Sequence, residues 1–277
     1  MLFASINLAA RIERADCSLI SSCAETVARR HAGADVILSP IGGGVAAYTG
    51  PDSPLNKIAG LGFEGRVDEQ ALADIELAFA QRKCPVQAEV STLADPAVGA
   101  LLTSRGYVLK GFENILARAT STAESSEPNP EITIEQSGLD DLPLWVDLMV
   151  TAFLSPDTQG VQTHESFPRD SMERDMTDMA HAEGFVRVFA KRAGQLAGGA
   201  AMCVHDRVAQ LCGAATLPAH RRKGVQSALL SHRLAHAAAA GCDIATITTL
   251  PGSKSQQNAQ SRGFELLYAR AHFVLDP

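Results

Sequence analysis

Aromatic side chains are scarce in this 277-residue chain: Phe, Trp and Tyr make up 5%, with a single Trp. A nucleic-acid surface built on base stacking needs several aromatics in a basic groove, so that class is not expected here. Positive charge is short as well. Lys and Arg number 24 against 31 Asp and Glu, a formal net charge of −7. Binding of nucleic acid or an anionic membrane by the chain as a whole is therefore not expected, and basic chemistry can only be local. No run of 18 or more apolar residues occurs, which leaves no transmembrane helix. The six cysteines, Cys17, Cys23, Cys84, Cys203, Cys212 and Cys242, never stand as C-x-x-C. Several lie inside apolar runs, as reduced and buried thiols do, and neither a metal site nor a disulfide framework is expected. The opening residues MLFASINLAARIERAD lack a basic stretch followed by an apolar core and a cleavage site. No secretory leader is expected, and the expected placement is cytoplasmic.

What is present is enough to fold. Hydrophobic residues reach 46% and charged residues 20%, a composition that fills a core and excludes wholesale disorder. The polar stretch STAESSEPNP at 121–130 follows a strand-like run and reads as a linker. It separates a first domain, residues 1–120, from a second, residues 131–277.

The halves resemble each other. Ser104-Arg105-Gly106-Tyr107 and Ser261-Arg262-Gly263-Phe264 lie 157 positions apart. At the same offset PVQAEVSTL (85–93) falls on CDIATITTL (242–250), and the helical stretch 69–82 falls on 226–239. Three features in one register argue for an internal duplication. In the second half the periodicity predicts the order βααβββαβαβ, an α/β sheet in which strand 208–217 runs into a loop and a long helix, 225–240. The first half reads alike, from a helix over 2–30 to a strand over 107–118.

The informative segment is Leu217-Pro218-Ala219-His220-Arg221-Arg222-Lys223-Gly224-Val225-Gln226-Ser227. A strand ends, three cations follow, then a glycine, then a helix. Amide groups at a helix start are unsatisfied and carry partial positive charge. A glycine there lets the backbone approach an anion, so the segment reads as a phosphate or pyrophosphate cradle. It is neither G-x-x-x-x-G-K-[ST] nor G-x-G-x-x-G, which disfavours an NTPase and a Rossmann dinucleotide site.

This segment resembles the acetyl-CoA signature of the GCN5-related N-acetyltransferases (GNAT), [Q/R]-x-x-G-x-[G/A]. Arg221 matches the first position and Gly224 the fourth; Gln226 departs from the sixth. The resemblance implies two GNAT-like domains, each a mixed, mostly antiparallel sheet flanked by helices, and transfer of an acetyl group from acetyl-CoA to a small-molecule or protein amine. It implies that Ala215, Thr216 and Leu217 face the pantetheine, Ala215 and Leu217 through their backbone groups. Residues Arg222, Lys223, Gly224, Val225, Gln226 and Ser227 would hold the pyrophosphate, with Arg221 beside them. At the duplication offset Arg221, Gly224 and Gln226 fall on Glu64, Val67 and Glu69. Carboxylates repel a pyrophosphate, so the first half is expected to be a degenerate domain without CoA.

Many members of that family carry a tyrosine general acid four residues before the Gly-Phe pair, where this chain has Ala259. Candidate replacements are Asn258, Ser255 and Tyr268. Ser253, His220, and the acceptor-side residues His164, Glu165 and Asp170 are weaker candidates. In the first half Ser53, Asn56 and Lys57 could meet substrate or could simply form a Gly/Pro turn. His232 and His236 stand at i, i+4, but the Ala-rich surroundings read as packing, and no metal is expected. The absent tyrosine keeps two other readings open: a CoA- or metabolite-sensing module without catalysis, and a scaffold. The sequence leaves the acceptor and the oligomeric state open.

Overall fold

The structure, a computed structural model, describes residues 2–121, 129–156, 159–161 and 167–277. Most of the expected linker, along with His164 and Glu165, lies outside them. The chain runs α1 (Ile6–Arg30), β1 (Ile37–Ile41), β2 (Gly44–Tyr48), β3 (Lys57–Ala59), α2 (Glu69–Gln81), β4 (Val86–Ser91), α3 (Pro96–Ser104) and β5 (Val108–Ala119). It continues through β6 (Ile132–Gln136), α4 (Leu142–Phe153), α5 (Arg169–Met179), β7 (Val186–Arg192), β8 (Gln195–His205), β9 (Val208–Gln210) and β10 (Ala214–Thr216). A 3₁₀ turn at Pro218–His220 leads to α6 (Val225–Ala239), β11 (Ile244–Thr249), α7 (Lys254–Gln260) and β12 (Glu265–Leu275). The α/β fold is as expected.

The chain divides into two compact units. Unit 1 is Met1–Ile115, Thr249–Pro251 and Leu266–Pro277; unit 2 is Leu116–Thr248 and Gly252–Glu265. This division differs from a linear boundary near residue 120. Nearly all of β12 belongs with the first unit, and β5 changes unit between Ile115 and Leu116.

In unit 1 the strand order is β1-β2-β3-β4-β12-β5. All pairs with a defined register are antiparallel except β3 with β4. The helices start on side-chain caps: Ser5 accepts from the N–H of Leu8, Asp68 from Gln70 and Ala71, and Asp95 from Ala97. Leu72, Ile75 and Phe79 follow at helical spacing and bury one face of α2 in a core with Ile58, Val86 and Ala88. The expected helix over 2–30 thus begins at Ile6, where Ser5 can cap it.

In unit 2 the order is β11-β9-β8-β7-β6, with the end of β5 beside β11 and β10 paired to β8. Trp145, Leu148 and Met149 of α4 form a core with Phe189 and Ala201. Leu230, Leu234 and Ala237 of α6 form another with Ala209, Ala245, Ala259 and Phe264. The strand expected over 208–217 is two strands. The break at Leu211–Gly213 separates β9, which pairs with β11, from β10, which pairs with β8 alone among the described residues. The polar segment before Arg262 contains α7, whose cap, Ser253, accepts from the N–H of Gln256.

Candidate active site

A cleft of about 460 Å³ opens in unit 2 where β10 leaves β11. It brings together most of the residues expected from the sequence. Ala215, Thr216, Arg221, Arg222, Gly224, Val225, Gln226 and Ser227 line one wall, and Ser255 and Asn258 of α7 line another.

The start of α6 explains the cleft's chemistry. Gly224 is its N-cap, in a left-handed conformation with φ +86°, and brings no side-chain acceptor. The N–H groups of Val225, Gln226 and Ser227 therefore begin the helix without an intrahelical partner. Arg222, two residues earlier, is also left-handed, at φ +57°. Consecutive amides in such turns make an anion-binding concavity, and the helix dipole adds to it.

Arg221 does something the sequence did not disclose. Its Nε donates to the Thr216 carbonyl at 3.2 Å and its Nη1 to the Pro156 carbonyl at 3.3 Å, while Nη2 donates to Ser155. It ties β10 to the carbonyls just past the C-terminal end of α4, where a cation is favoured. Arg221 is a wall of the cleft rather than a free charge in it. Lys223 is not a lining residue, and its Nζ donates to the Ala219 carbonyl at 2.8 Å.

Two further expectations change. Leu217 donates its N–H to the Ala197 carbonyl at 2.9 Å, so that group is spent on β8. Antiparallel pairing alternates, so residues 213, 215 and 217 turn their backbone groups toward β8, and Ala214 and Thr216 turn theirs away. The outward-facing backbone groups of β10 are thus those of Ala214 and Thr216, not those of Ala215 and Leu217. Tyr268 is not a cleft residue. It is buried in unit 1, where its hydroxyl donates to Glu13 Oε1 at 2.7 Å and burial beside that carboxylate pushes its ionisation well up.

Ala259 is 2% exposed and part of the core, so the position at which the resemblance implies a general acid holds a buried methyl group here. Of the remaining candidates, Ser53 and Asn56 are engaged locally: Asn56 accepts from the Thr49 N–H and donates to the Gly50 carbonyl, and the Thr49 hydroxyl donates to Ser53 Oγ. Lys57 pairs with Glu89 at 2.5 Å. These residues form a self-contained turn. Ligand atoms of Glu89, Glu113 and His272 lie within 4.8 Å of one another in unit 1. Lys57 and Arg270 already engage those carboxylates, so the cluster carries its own cations. Sequence reasoning missed Phe153, Pro156 and Lys254 as lining residues. The first is the last residue of the apolar helix α4 and the second lies just past it, and that helix's sequence gives no sign of where its end points.

The donor set fits a diphosphate ester with an amide-bearing arm. Uncapped amides, Arg222 and Lys254 suit the anionic part, and the outward edge of β10 suits amides. Two buried polar atoms in the lining residues, Thr216 Oγ1 and His220 Nδ1, have no hydrogen-bond partner among the described residues, as expected where a ligand supplies it.

Residues 148–264 match the model of the acetyltransferase (GNAT) family. No curated protein sequence matches the chain. Among solved structures, a GCN5-related N-acetyltransferase from Kribbella flavida is similar over 98% of this chain and 96% of its own, at 18% identity and a TM-score of 0.67. A tandem GNAT protein from the clavulanic acid biosynthesis pathway matches over 99% and 97%, at 14% identity and a TM-score of 0.59. A GCN5-related N-acetyltransferase from Sphaerobacter thermophilus matches over 99% and 94%, at 13% identity and a TM-score of 0.57. At these identities the likeness is one of fold. Among the described residues no helix is long and apolar enough to cross a membrane.

Proposed function

The chain carries a GNAT acetyltransferase domain, and from that premise we propose that unit 2 binds acetyl-CoA in its cleft and transfers the acetyl group to an amine. The observation that carries the proposal is the glycine-capped start of α6 beside the free edge of β10, in one cleft. The amides of Val225, Gln226 and Ser227, with Arg222, would hold the pyrophosphate. Ala214 would hold the pantetheine through its outward backbone groups, and Thr216 through its N–H, its carbonyl being engaged by Arg221. When bound, acetyl-CoA supplies the activated acyl group as a thioester. The chain's task is to hold it, orient an amine in its neutral form and deliver a proton to the departing thiolate. Asn258 and Ser255 are the polar side chains of α7 in the cleft. Asn258 orients by hydrogen bonding, and the Ser255 hydroxyl is a proton-bearing group. In this reading unit 1 is a degenerate copy that binds no CoA, and the acceptor is a small-molecule or protein amine.

Isothermal titration of acetyl-CoA into the full chain tests this. One saturable site per chain is expected, weakened by at least about 100-fold in Gly224→Asp, roughly 2.8 kcal/mol at 1.4 kcal/mol per tenfold. The aspartate would put an internal anion at the amides, in a backbone conformation strained for any side chain. The melting curve of the variant reports whether the fold survives. Absence of binding in the wild-type protein would overturn the proposal. The buried Ala259 favours a second reading, a CoA sensor without turnover. Thiol release with a panel of amines, above the hydrolysis background, would remove it.

A further inference from the structure

The break between β9 and β10 is a counted irregularity. Cys203 on β8 faces Gln210, and Ala200 faces Ala214. Two residues of β8, Ala201 and Met202, therefore oppose three, Leu211, Cys212 and Gly213. This is a β-bulge, with one extra residue on the bulged strand. The N–H of Ala201 is shared between the carbonyls of Cys212 and Gly213, at 3.2 and 2.8 Å. Before the bulge β9 pairs with β11, and the N–H of Leu211 still reaches the Thr246 carbonyl at 2.9 Å. After it, β10 follows β8 alone. The extra residue does two things: it turns the strand away from β11, which opens the cleft, and it flips which backbone groups face outward.

Beneath this bulge lies a side chain that the acetyl-CoA reading leaves without a task. Arg233 of α6 is 2% exposed. Its Nη1 donates to the carbonyl of Ala201 at 3.0 Å, and its Nε to the carbonyl of Leu229, one turn back, at 3.3 Å. Ala201 is thus gripped from both directions: its N–H holds the bulge, and its C=O is held by the guanidinium. No carboxylate pairs with Arg233 among the described residues. Burial pulls its ionisation down to about 10, against the opposing effect of the Cys212 thiol. A buried cation without an acid partner costs stability that an apolar side chain of similar volume would not. Leu229, Leu230, Leu234 and Ala237 flank it on α6, together with His232 and His236, and none of these supplies an anion that calls for an arginine.

We propose that Arg233 is a positioning residue for the acetyl-CoA cleft, fixing the bulge through the Ala201 carbonyl and thereby the course of β10. The inference rests on the acetyl-CoA reading of that cleft. It assigns the arginine no contact with substrate. It also accounts for a buried charge on the far side of the sheet residue that opposes the bulge.

The test uses Arg233→Met in the full chain, with two readouts. The first is amide hydrogen exchange of the ligand-free protein at Ala201 and at residues 214–216. The second is the acetyl-CoA Kd. Methionine removes the grip and the buried charge together, so the urea midpoint should hold or rise, whereas an arginine that only supports the fold predicts a fall. Exchange at Ala201 and along β10 should accelerate, and the Kd should rise at least about tenfold, since small displacements of binding groups are costly. Should Arg233→Met not fold, Arg233→Lys carries the test: it keeps the charge but loses the two-carbonyl grip, and the same changes are expected at smaller size. Wild-type exchange and wild-type Kd in a folded variant would overturn the positioning role alone. Failure of the wild-type protein to bind acetyl-CoA would overturn the cofactor reading, and the positioning role with it.

Discussion

Two helices of this protein each start after a short strand, and they spend their free amides in opposite ways. α2 starts on Asp68, whose carboxylate accepts from Gln70 at 2.8 Å and Ala71 at 3.0 Å. α6 starts on Gly224 and accepts nothing from its own side chain. The first helix carries an internal anion; the second is open to an external one. The duplication offset of 157 sets Gly224 opposite Val67, whereas the helix starts themselves set it opposite Asp68. The cations repeat the contrast. In unit 1 Arg270 is 3% exposed and faces Glu13 at 2.8 Å, Asp16 at 2.9 Å and Glu113 at 3.0 Å. In unit 2 Arg222 lines a cleft without an acid partner among the described residues. What differs between the two helix starts is whether their donors are already spent.

Breaking the unit 1 arrangement should have the largest effect. Arg270→Met leaves Glu13, Asp16, Glu89 and Glu113 with Lys57 and His272 as their nearby cations. Removing one partner from a buried ionic cluster typically costs about 3–5 kcal/mol. Urea unfolding of the full chain should show a loss of that order. Wild-type stability would mean the acids of unit 1 are already neutral in the folded protein.

A pH series sharpens the same contrast at smaller amplitude. Burial disfavours the charged form of His272, but the Glu113 carboxylate, 3.4 Å from its Nε2, and the charge of Glu89 outweigh it and raise its ionisation above 6.5. Glu113 is held down at about 2: the adjacent His272 and the charges of Arg270 and Lys57 overcome burial. Glu13 is raised, chiefly by burial. The His272 contribution is fully present below pH 6.5 and is lost as pH rises through its raised value. The Glu113 contribution is present above 4.5 and is lost as pH falls toward 2. Glu13 acts in the opposite sense to Glu113, stabilising below 4.5 and losing that effect as pH rises through its raised value. Melting temperatures of wild type and His272→Gln should therefore converge as pH rises through the raised His272 value. A constant gap would assign His272 to packing alone.

How much of this was legible beforehand follows from the range of each interaction. The cradle 217–227 was readable because its glycine, cations and helix are consecutive. The α/β order was readable because periodicity is local. The bulge was not: one extra residue in 211–213 leaves the apolar run of 208–217 unbroken, so the strand reads as continuous. Arg221 stood in the motif, but its partners Ser155 and Pro156 lie more than sixty residues upstream. Tyr268 read as a catalytic candidate because its partner Glu13 is 255 positions away. β12 read as the end of the second half, because its pairing with β4 joins residues of opposite ends of the chain.

The smallest expected effect asks why the first helix start is closed. Asp68→Ala should cost about 1 kcal/mol of stability, the usual loss of an N-cap, and Asp68→Gly only a few tenths. Neither should add a second acetyl-CoA site to the titration, because the cap is only one of the obstacles in unit 1. The loop before α2 is tied down: the Gly62 carbonyl accepts from the Asp95 N–H at 2.9 Å, and the Gly62 N–H reaches the Gly42 carbonyl at 3.4 Å. A Cβ at Gly62 would lie 2.9 Å from Val98 and 3.0 Å from Ala94, so residues 94–98 already occupy the space beside the loop. Stoichiometry fixed at one in Asp68→Gly would assign the closure to that packing. A second site appearing there would reduce the whole difference between the two helix starts to one carboxylate.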